Sequence, residues 1–520
     1  MEICAELVKL LGDSENDQGI STRDYLCLDG VSLWEIVEPT LAAFELPRAI
    51  DSEKNFIEKL KYKIRSYVIK IRYQTRRSRE VKSYAPLTPA RDSENLKVDA
   101  IFFGFSGYME RDIISPFLRH LDNGKIKYAV LGDNETCNTA NVDLLAKERI
   151  NIWSLWDAEC NHILDNLQKM YWGLLKGGDR ASLLESITCN RLGISKSTAT
   201  SFIQYVFQSL IPHYFHHLVI AKKIYGSGGV RWNISPDVSD PKIRAFCLVG
   251  KQLSVKWADI QFGIYGKEST EWNFCSSDYV AAWGPSSAKL LKEFQVREEI
   301  VHVTGSPKFD GLINRYSEVA NCSCNEHEKI NVLFCSMYAL KAYLNIPGFE
   351  DALDKVKQDI IEFSGKNSRI NLIIKLHPLE DSAKIIANIA LYNNIKIVEG
   401  AADIREYIKK CDVFITLGST STMDALLLSK PIIFPNYDGL VWWDDVYLKS
   451  SVVISAPSSK KLENIIRNLS DIVKSYDSTE IAHNSKLFTE ERILFSNISS
   501  SETILLQCGL LDEGSLGLSN

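Results

Sequence analysis

The sequence predicts an α/β protein: two Rossmann-like domains facing each other, preceded by a mainly helical accessory segment. Three observations carry this. From residue 98, short β-branched or aromatic runs alternate with amphipathic stretches, the pattern of a parallel sheet with crossover helices. The polar, turn-rich run Asn321-Cys322-Ser323-Cys324-Asn325-Glu326-His327-Glu328 interrupts that rhythm, and a fresh alternation follows it. Residues 1–95 lack the rhythm altogether. The expected division is 1–95 accessory segment, 96–320 N-terminal domain, 328–480 C-terminal domain and 481–520 helix and tail, with Gly514 to Asn520 frayed.

Taken in order, the accessory segment contains a helix from Phe56 to Lys82, because Ile57, Leu60, Ile64, Val68 and Ile71 recur at spacings of three and four. That helix carries ten cations against two acids. Such a basic face suits an anionic membrane surface or an acidic polymer, and equally a solvated face above an apolar stripe packed on the main body. Pro86 and Pro89 close the segment as a linker. First-domain strands are expected at Val98–Phe105, Lys127–Leu131, Ile150–Ser154, Val230–Ile234, Val255–Gln261, Tyr279–Trp283 and Ile300–Thr304, with helical crossovers over 160–225. Second-domain strands are expected at Asn331–Ser336, Ile370–Leu376, Ile395–Val398, Val413–Leu417, Ile432–Phe434 and Val452–Ile454. Helices fall near 350–364, 381–392, 402–410, 421–429 and 459–475.

Composition narrows the function. A chain of 520 residues with 45% hydrophobic and 24% charged content buries an ample core, and a net charge of −6 argues against a general nucleic-acid binder. Twelve cysteines without a disulfide rhythm, and an N-terminus without a cationic-then-apolar leader, predict a reduced, cytoplasmic protein, with any contact at the inner face of the cell membrane peripheral.

The most informative chemistry lies between residues 371 and 438. One strand ends in Lys375-Leu376-His377-Pro378. Another runs into Gly418-Ser419-Thr420-Ser421-Thr422, which opens a helix. Leading N–H groups of a helix lack intrahelical acceptors and carry partial positive charge, so hydroxyls, glycine and a nearby imidazole at strand ends make a phosphate cradle. An N-cap with extra hydroxyls accounts for the same serine-threonine run.

These motifs resemble those of GT-B glycosyltransferases of bacterial surface polysaccharide synthesis, both the CMP-sugar-dependent sialyl- and Kdo-transferases and the CDP-glycerol glycerophosphotransferases. The resemblance spans about residues 98–475, is strongest over 278–438, and rests on His377-Pro378, Ser419 to Thr422 and Lys430-Pro431-Ile432-Ile433-Phe434. It implies that the histidine and hydroxyls contact the donor's phosphate. Trp283-Gly284-Pro285 and Val303 to Asp310 look like the segment closing the first domain in these proteins, with Gly305 and Ser306 offering backbone N–H groups, or simply turning toward the hinge. Gln261-Phe262-Gly263 departs from the relatives' Gln-His-Gly, with phenylalanine in place of a histidine that is catalytic in some of them.

The resemblance implies transfer from a nucleotide-activated donor to a surface polysaccharide or lipid-linked glycan, inverting and without metal or other cofactor. CMP-Kdo or CMP-sialic acid is the favoured donor, with a UDP-sugar or CDP-glycerol as the alternatives. A UDP-N-acetylglucosamine 2-epimerase-like isomerase and a non-catalytic assembly protein are rivals from other classes. Departure of the nucleotide needs charge neutralisation, which Lys375, His377 and the hydroxyls supply, and a base for the acceptor hydroxyl. Glu110 and Asp112, following the first strand, are the candidate catalytic carboxylates, with Asp133 at a second strand end; helix-capping acids explain the first two equally. Asp237-Val238-Ser239-Asp240 only imitates a metal-binding Asp-X-Asp. His213, His216 and His217, and Cys322-X-Cys324-X-X-His327, lack the remaining ligands of a zinc site. Trp442-Trp443-Asp444-Asp445 suits stacking on a sugar or base, or a buried loop plug.

Overall fold

A computed structural model describes residues 2–15, 19–52, 97–121, 126–133, 149–176, 180–264, 266, 269–310, 329–337, 349–377, 380, 385–386, 389–398, 403–419, 421–437 and 446–512. The basic stretch 56–82, the run 321–328, Pro378, Thr420, the Trp442–Asp445 segment and the tail from 514 lie outside the described residues. The chain forms two compact units: 1–262 with 269–310 and 496–520, and 263–268 with 311–495.

A two-stranded antiparallel hairpin, β1 (Cys27–Leu28) and β2 (Val31–Ser32), sits among the N-terminal helices. The first unit is built on β3 (Ala100–Phe103), β4 (Tyr128–Gly132), β5 (Arg149–Asn151), β6 (Trp232–Ser235), β7 (Lys256–Ile260), β8 (Tyr279–Ala282) and β9 (Val301–Val303). All pair in parallel, in the order β5-β4-β3-β6-β7-β8-β9. Because successive side chains on a strand face opposite ways, β3 feeds two cores. Ile101 and Phe103 join a core shared with Val8, Leu11, Trp34 and Val37 of the N-terminal helices, while Ala100 and Phe102 join another with Phe117, Ile504 and Leu505. The stretch 2–52 is thus packed into the first unit. Fully buried Arg244 fastens it there, donating from Nε to the Glu35 carbonyl (2.8 Å) and from Nη1 to the carbonyls of Val238 (3.2 Å) and Phe274 (3.0 Å).

The second unit is built on β10 (Ile330–Cys335), β11 (Ile370–Lys375), β12 (Ile395–Val398), β13 (Val413–Thr416), β14 (Ile432–Pro435) and β15 (Ile454–Ala456). Its parallel order is β12-β11-β10-β13-β14-β15. Val332, Ile374, Ile415 and Ile433 pack with Val356 and Ile360 of the helix Phe349–Gly365 and with Leu462 and Ile466 of Ser459–Arg467. In both units the chain winds outward from a central strand, returns, and winds the other way. The point of reversal lies between β3 and β6 in the first unit and between β10 and β13 in the second, and open α/β sheets bind ligands beyond the carboxyl ends of the strands at such a point. Two parallel-sheet α/β units with a helical N-terminal part match the predicted fold class, the two-Rossmann composition of GT-B proteins.

Candidate functional site

Register fixes the second unit's candidate site. Cys335 pairs with Lys375 on one side and Thr416 on the other, so the last residues of β11, β10 and β13 form one row at the point of reversal. Beyond that row the chain places Ser336, His377 and the Gly418–Ser419 turn. The sequence-predicted Lys375, His377, Gly418, Ser419, Ser421 and Thr422 therefore follow from adjacent strands. Lys375 is 5% exposed, its Nζ donating to the Leu376 carbonyl at 3.3 Å. Gly418 has φ +98°, a left-handed conformation that a side chain would resist, so the turn into the hydroxyl run needs glycine.

The hydroxyl run differs from a bare helix terminus. Ser419 N donates to Thr416 Oγ1 (3.3 Å), Ser421 N to Ser419 Oγ (3.3 Å), and Thr422 N and Oγ1 to the Ser419 carbonyl (2.9 and 2.6 Å). The turn satisfies these N–H groups itself, because the short side chains reach back to backbone more easily than they reach outward. The polar side chains gathered at this row are the Ser419 and Ser421 hydroxyls, Lys375 and His377. Ser421 Oγ donates to Ser419 Oγ (2.9 Å) and reaches Cys335 Sγ (3.6 Å), bridging β10 and β13. Burial pushes the Cys335 thiol up, against the lowering effect of both serines and Lys375, which keeps it a neutral thiol.

His377 is held by a residue that sequence reasoning missed. Glu380 accepts from His377 N (2.8 Å), from Ser336 Oγ (2.8 Å) and from Lys357 Nζ (2.5 Å), and its own N–H donates to the His377 carbonyl (2.9 Å). The side chains of Glu380 and Lys357 are 5% and 14% exposed. The available signal was His377-X-X-Glu380, the spacing at which a carboxylate reaches back to an earlier N–H. Burial lowers the His377 pKa; Glu380 raises it, while Lys375 and Lys357 lower it further, so the imidazole is predominantly neutral at neutral pH.

In the first unit, Glu110 lies beside the end of β3 but is fully buried and ion-paired with Arg149. Asp112, 4% exposed, accepts from Arg111 Nε (2.7 Å) and Nη2 (3.2 Å). Both carboxylates occupy a π-helical turn, Glu110–Ile114. Asp133, 18% exposed and 3.3 Å from Lys242 Nζ, is the carboxylate of the three that water reaches most readily. Gly305 (φ +82°) and Ser306 follow β9, in the first unit, whereas Lys375 and His377 belong to the second. Ser306 is 1% exposed. Phe262 packs against the core that holds Phe102, so it does apolar work in place of the relatives' histidine.

His216 and His217 pack against Trp153, with ring centroids 5.9 Å away in both cases, and are buried aromatic members of the core. Among the described residues no group of three or more His, Cys, Asp or Glu side chains is placed to hold a metal ion, and no helix is long and apolar enough to cross a membrane.

Comparison with known proteins adds to this geometry. Residues 264–506 match the family CDP-glycerol:poly(glycerophosphate) glycerophosphotransferase, so the resemblance to glycerophosphotransferases holds over a stretch that includes Gly305, Ser306, Lys375, His377 and Ser419. No curated protein matches. Similar solved structures include the wall teichoic acid polymerase TagF, 13% identical with a TM-score of 0.48 over 86% of this chain and 97% of that one. A Methanocaldococcus jannaschii UDP-GlcNAc 2-epimerase in complex with UDP-GlcNAc and UDP is 13% identical, with a TM-score of 0.44 over 80% of this chain and 100% of that one. Staphylococcus aureus MnaA with UDP is 12% identical, with a TM-score of 0.47 over 80% and 98%.

Proposed function

We propose, from the glycerophosphotransferase-family match over residues 264–506, that this chain is a transferase that moves a glycerol-phosphate-type group from a CDP-linked donor to a polyol-phosphate or glycan acceptor. The match favours the CDP-glycerol alternative over the CMP-Kdo or CMP-sialic acid reading, and it outweighs the Phe262 departure that counted against that alternative. The observation that carries the site is the row Lys375–Cys335–Thr416, with His377, Ser419 and Ser421 just beyond it at the point of reversal of the sheet.

In this reaction the acceptor hydroxyl oxygen bonds to the donor's distal phosphorus as the bond from that phosphorus to the CMP oxygen breaks. CMP leaves, and the hydroxyl proton passes to a base. Lys375 supplies fixed charge to the diphosphate, the Ser419 and Ser421 hydroxyls donate to its oxygens, and His377 donates as charge accumulates on the departing phosphate. Of the first unit's carboxylates Glu110, Asp112 and Asp133, the first two are buried and Asp133 is the most exposed, at 18%.

A thermal-unfolding panel with CMP, CDP, UDP and GDP tests the reading. A ligand that binds only the native chain raises its apparent stability by about 2.7 kcal/mol at a hundredfold excess over Kd. Cytidine nucleotides should stabilise selectively, and CDP-glycerol with an acceptor should release CMP. Selective stabilisation by UDP, or no CMP release, would refute the proposal.

A further inference from the structure

Glu380 makes more contacts than a loop carboxylate needs for its own solvation, and they tie together three separate parts of the second unit. One oxygen meets Ser336, just past β10, and Lys357, on the helix Phe349–Gly365; the other meets the N–H of His377, just past β11. The return bond from Glu380 N to the His377 carbonyl (2.9 Å) ties the two residues together a second time, backbone to backbone. A carboxylate with so little exposure must be compensated, and here a cation and two neutral donors do it.

We propose that Glu380 is a positioning residue for the phosphate-binding His377, fixing its backbone to Ser336 at the carboxyl end of β10 with Lys357 as counter-ion. The inference rests on the donor-site reading above. Without Glu380 the His377 N–H loses its acceptor, Ser336 loses its partner and Lys357 stands uncompensated.

The arrangement has an electrostatic consequence that a purely mechanical staple would not. Among the described residues, the charged groups acting on His377 are Glu380, three positions on, Lys375 on β11 and Lys357 on the neighbouring helix. Glu380 favours the imidazolium and the two lysines disfavour it. A bound phosphate also favours the imidazolium, so nucleotide affinity rises as pH falls from the bound-state midpoint to the free-state midpoint of His377. Removing the Glu380 charge moves that window to lower pH. Removing Lys357 moves it to higher pH.

The experiment is a pH titration of the histidine side chains by NMR in the full chain, with His377 assigned by the signal lost in His377→Gln. Glu380→Gln should lower the His377 midpoint and Lys357→Met should raise it, each by a few tenths on the pH scale. Identical midpoints in wild type and both variants would overturn the inference; should Glu380→Gln fail to fold, the Lys357→Met midpoint decides alone. In the same samples CDP affinity at pH 7 should fall about tenfold in Glu380→Gln, and the nucleotide's own titration cancels between proteins. Absence of CDP and CMP binding to wild type would refute the donor-site reading, whereas the ligand-free midpoints would still judge the clamp.

Discussion

A Cβ on Gly104 would sit 2.3 Å from Glu110 Oε1 and 2.8 Å from Glu110 Cδ, closer than real Cβ contacts come. The glycine at the end of β3 is there to admit a buried carboxylate, and that carboxylate is held by Arg149. Gly104→Ala must displace Glu110 from its partner or shift the strand end, because neither backbone nor a buried ion pair yields cheaply. The expected loss is about 2–3 kcal/mol of unfolding free energy, read as a lower denaturant midpoint in the full chain. A midpoint equal to wild type would show that Glu110 has room to move. The same packing explains why Glu110 reads from sequence as a catalytic candidate: position after the first strand is visible in a sequence, but the Arg149 that neutralises it comes from β5, far along the chain.

At the scale of elements, Asp310 shows how a single carboxylate docks a distant helix. It accepts from Ser500 N (2.7 Å), Ser501 N (3.0 Å) and Ser501 Oγ (2.6 Å), at the start of the helix Ser500–Gln507, whose Ile504 and Leu505 fill the core beneath β3. Asp310→Ala leaves two leading N–H groups without this acceptor and should cost about 1–2 kcal/mol, with faster amide exchange confined first to that helix. Exchange rates there equal to wild type would refute the docking role. Elements of this kind differ in how legible they are. Among the described residues, each of the thirteen parallel strands overlaps an apolar run that predicts it, and the central strands, buried on both faces, are apolar along their length. The largest offsets are β5, expected at Ile150–Ser154 and found at Arg149–Asn151, and β15, expected at Val452–Ile454 and found at Ile454–Ala456. Val452 N instead bonds to the Tyr447 carbonyl (3.2 Å), closing the preceding helix through Ser451 at φ +51°. Residues adjacent in sequence to a strand end, such as His377 and Ser419, were legible for the same reason. Ser336 and Lys357 were not, because only the β10–β11 register and the packing of Phe349–Gly365 bring them to Glu380.

On the scale of the whole molecule, the chain forms two units that each reverse their winding at a central strand, and the residues proposed to bind phosphate, Lys375, His377, Ser419 and Ser421, all come from one of them. A ligand stabilises what it touches, so a nucleotide held by those residues suppresses local opening in that unit before it affects the other. Hydrogen exchange with saturating CDP should slow at 330–336, 370–377 and 413–419, the strand ends that form the row around Cys335. Exchange in β3, β4 and β6 of the first unit should stay as it is without nucleotide, because no phosphate-binding side chain of this set lies there. Protection that appears only at the ends of β3 and β6 would move the nucleotide to the other point of reversal and leave Lys375 and His377 without the role argued for them. Protection spread evenly over both sheets would mean that nucleotide stabilises the folded chain as one cooperative body, and the assignment of donor binding to the second unit would lose its support.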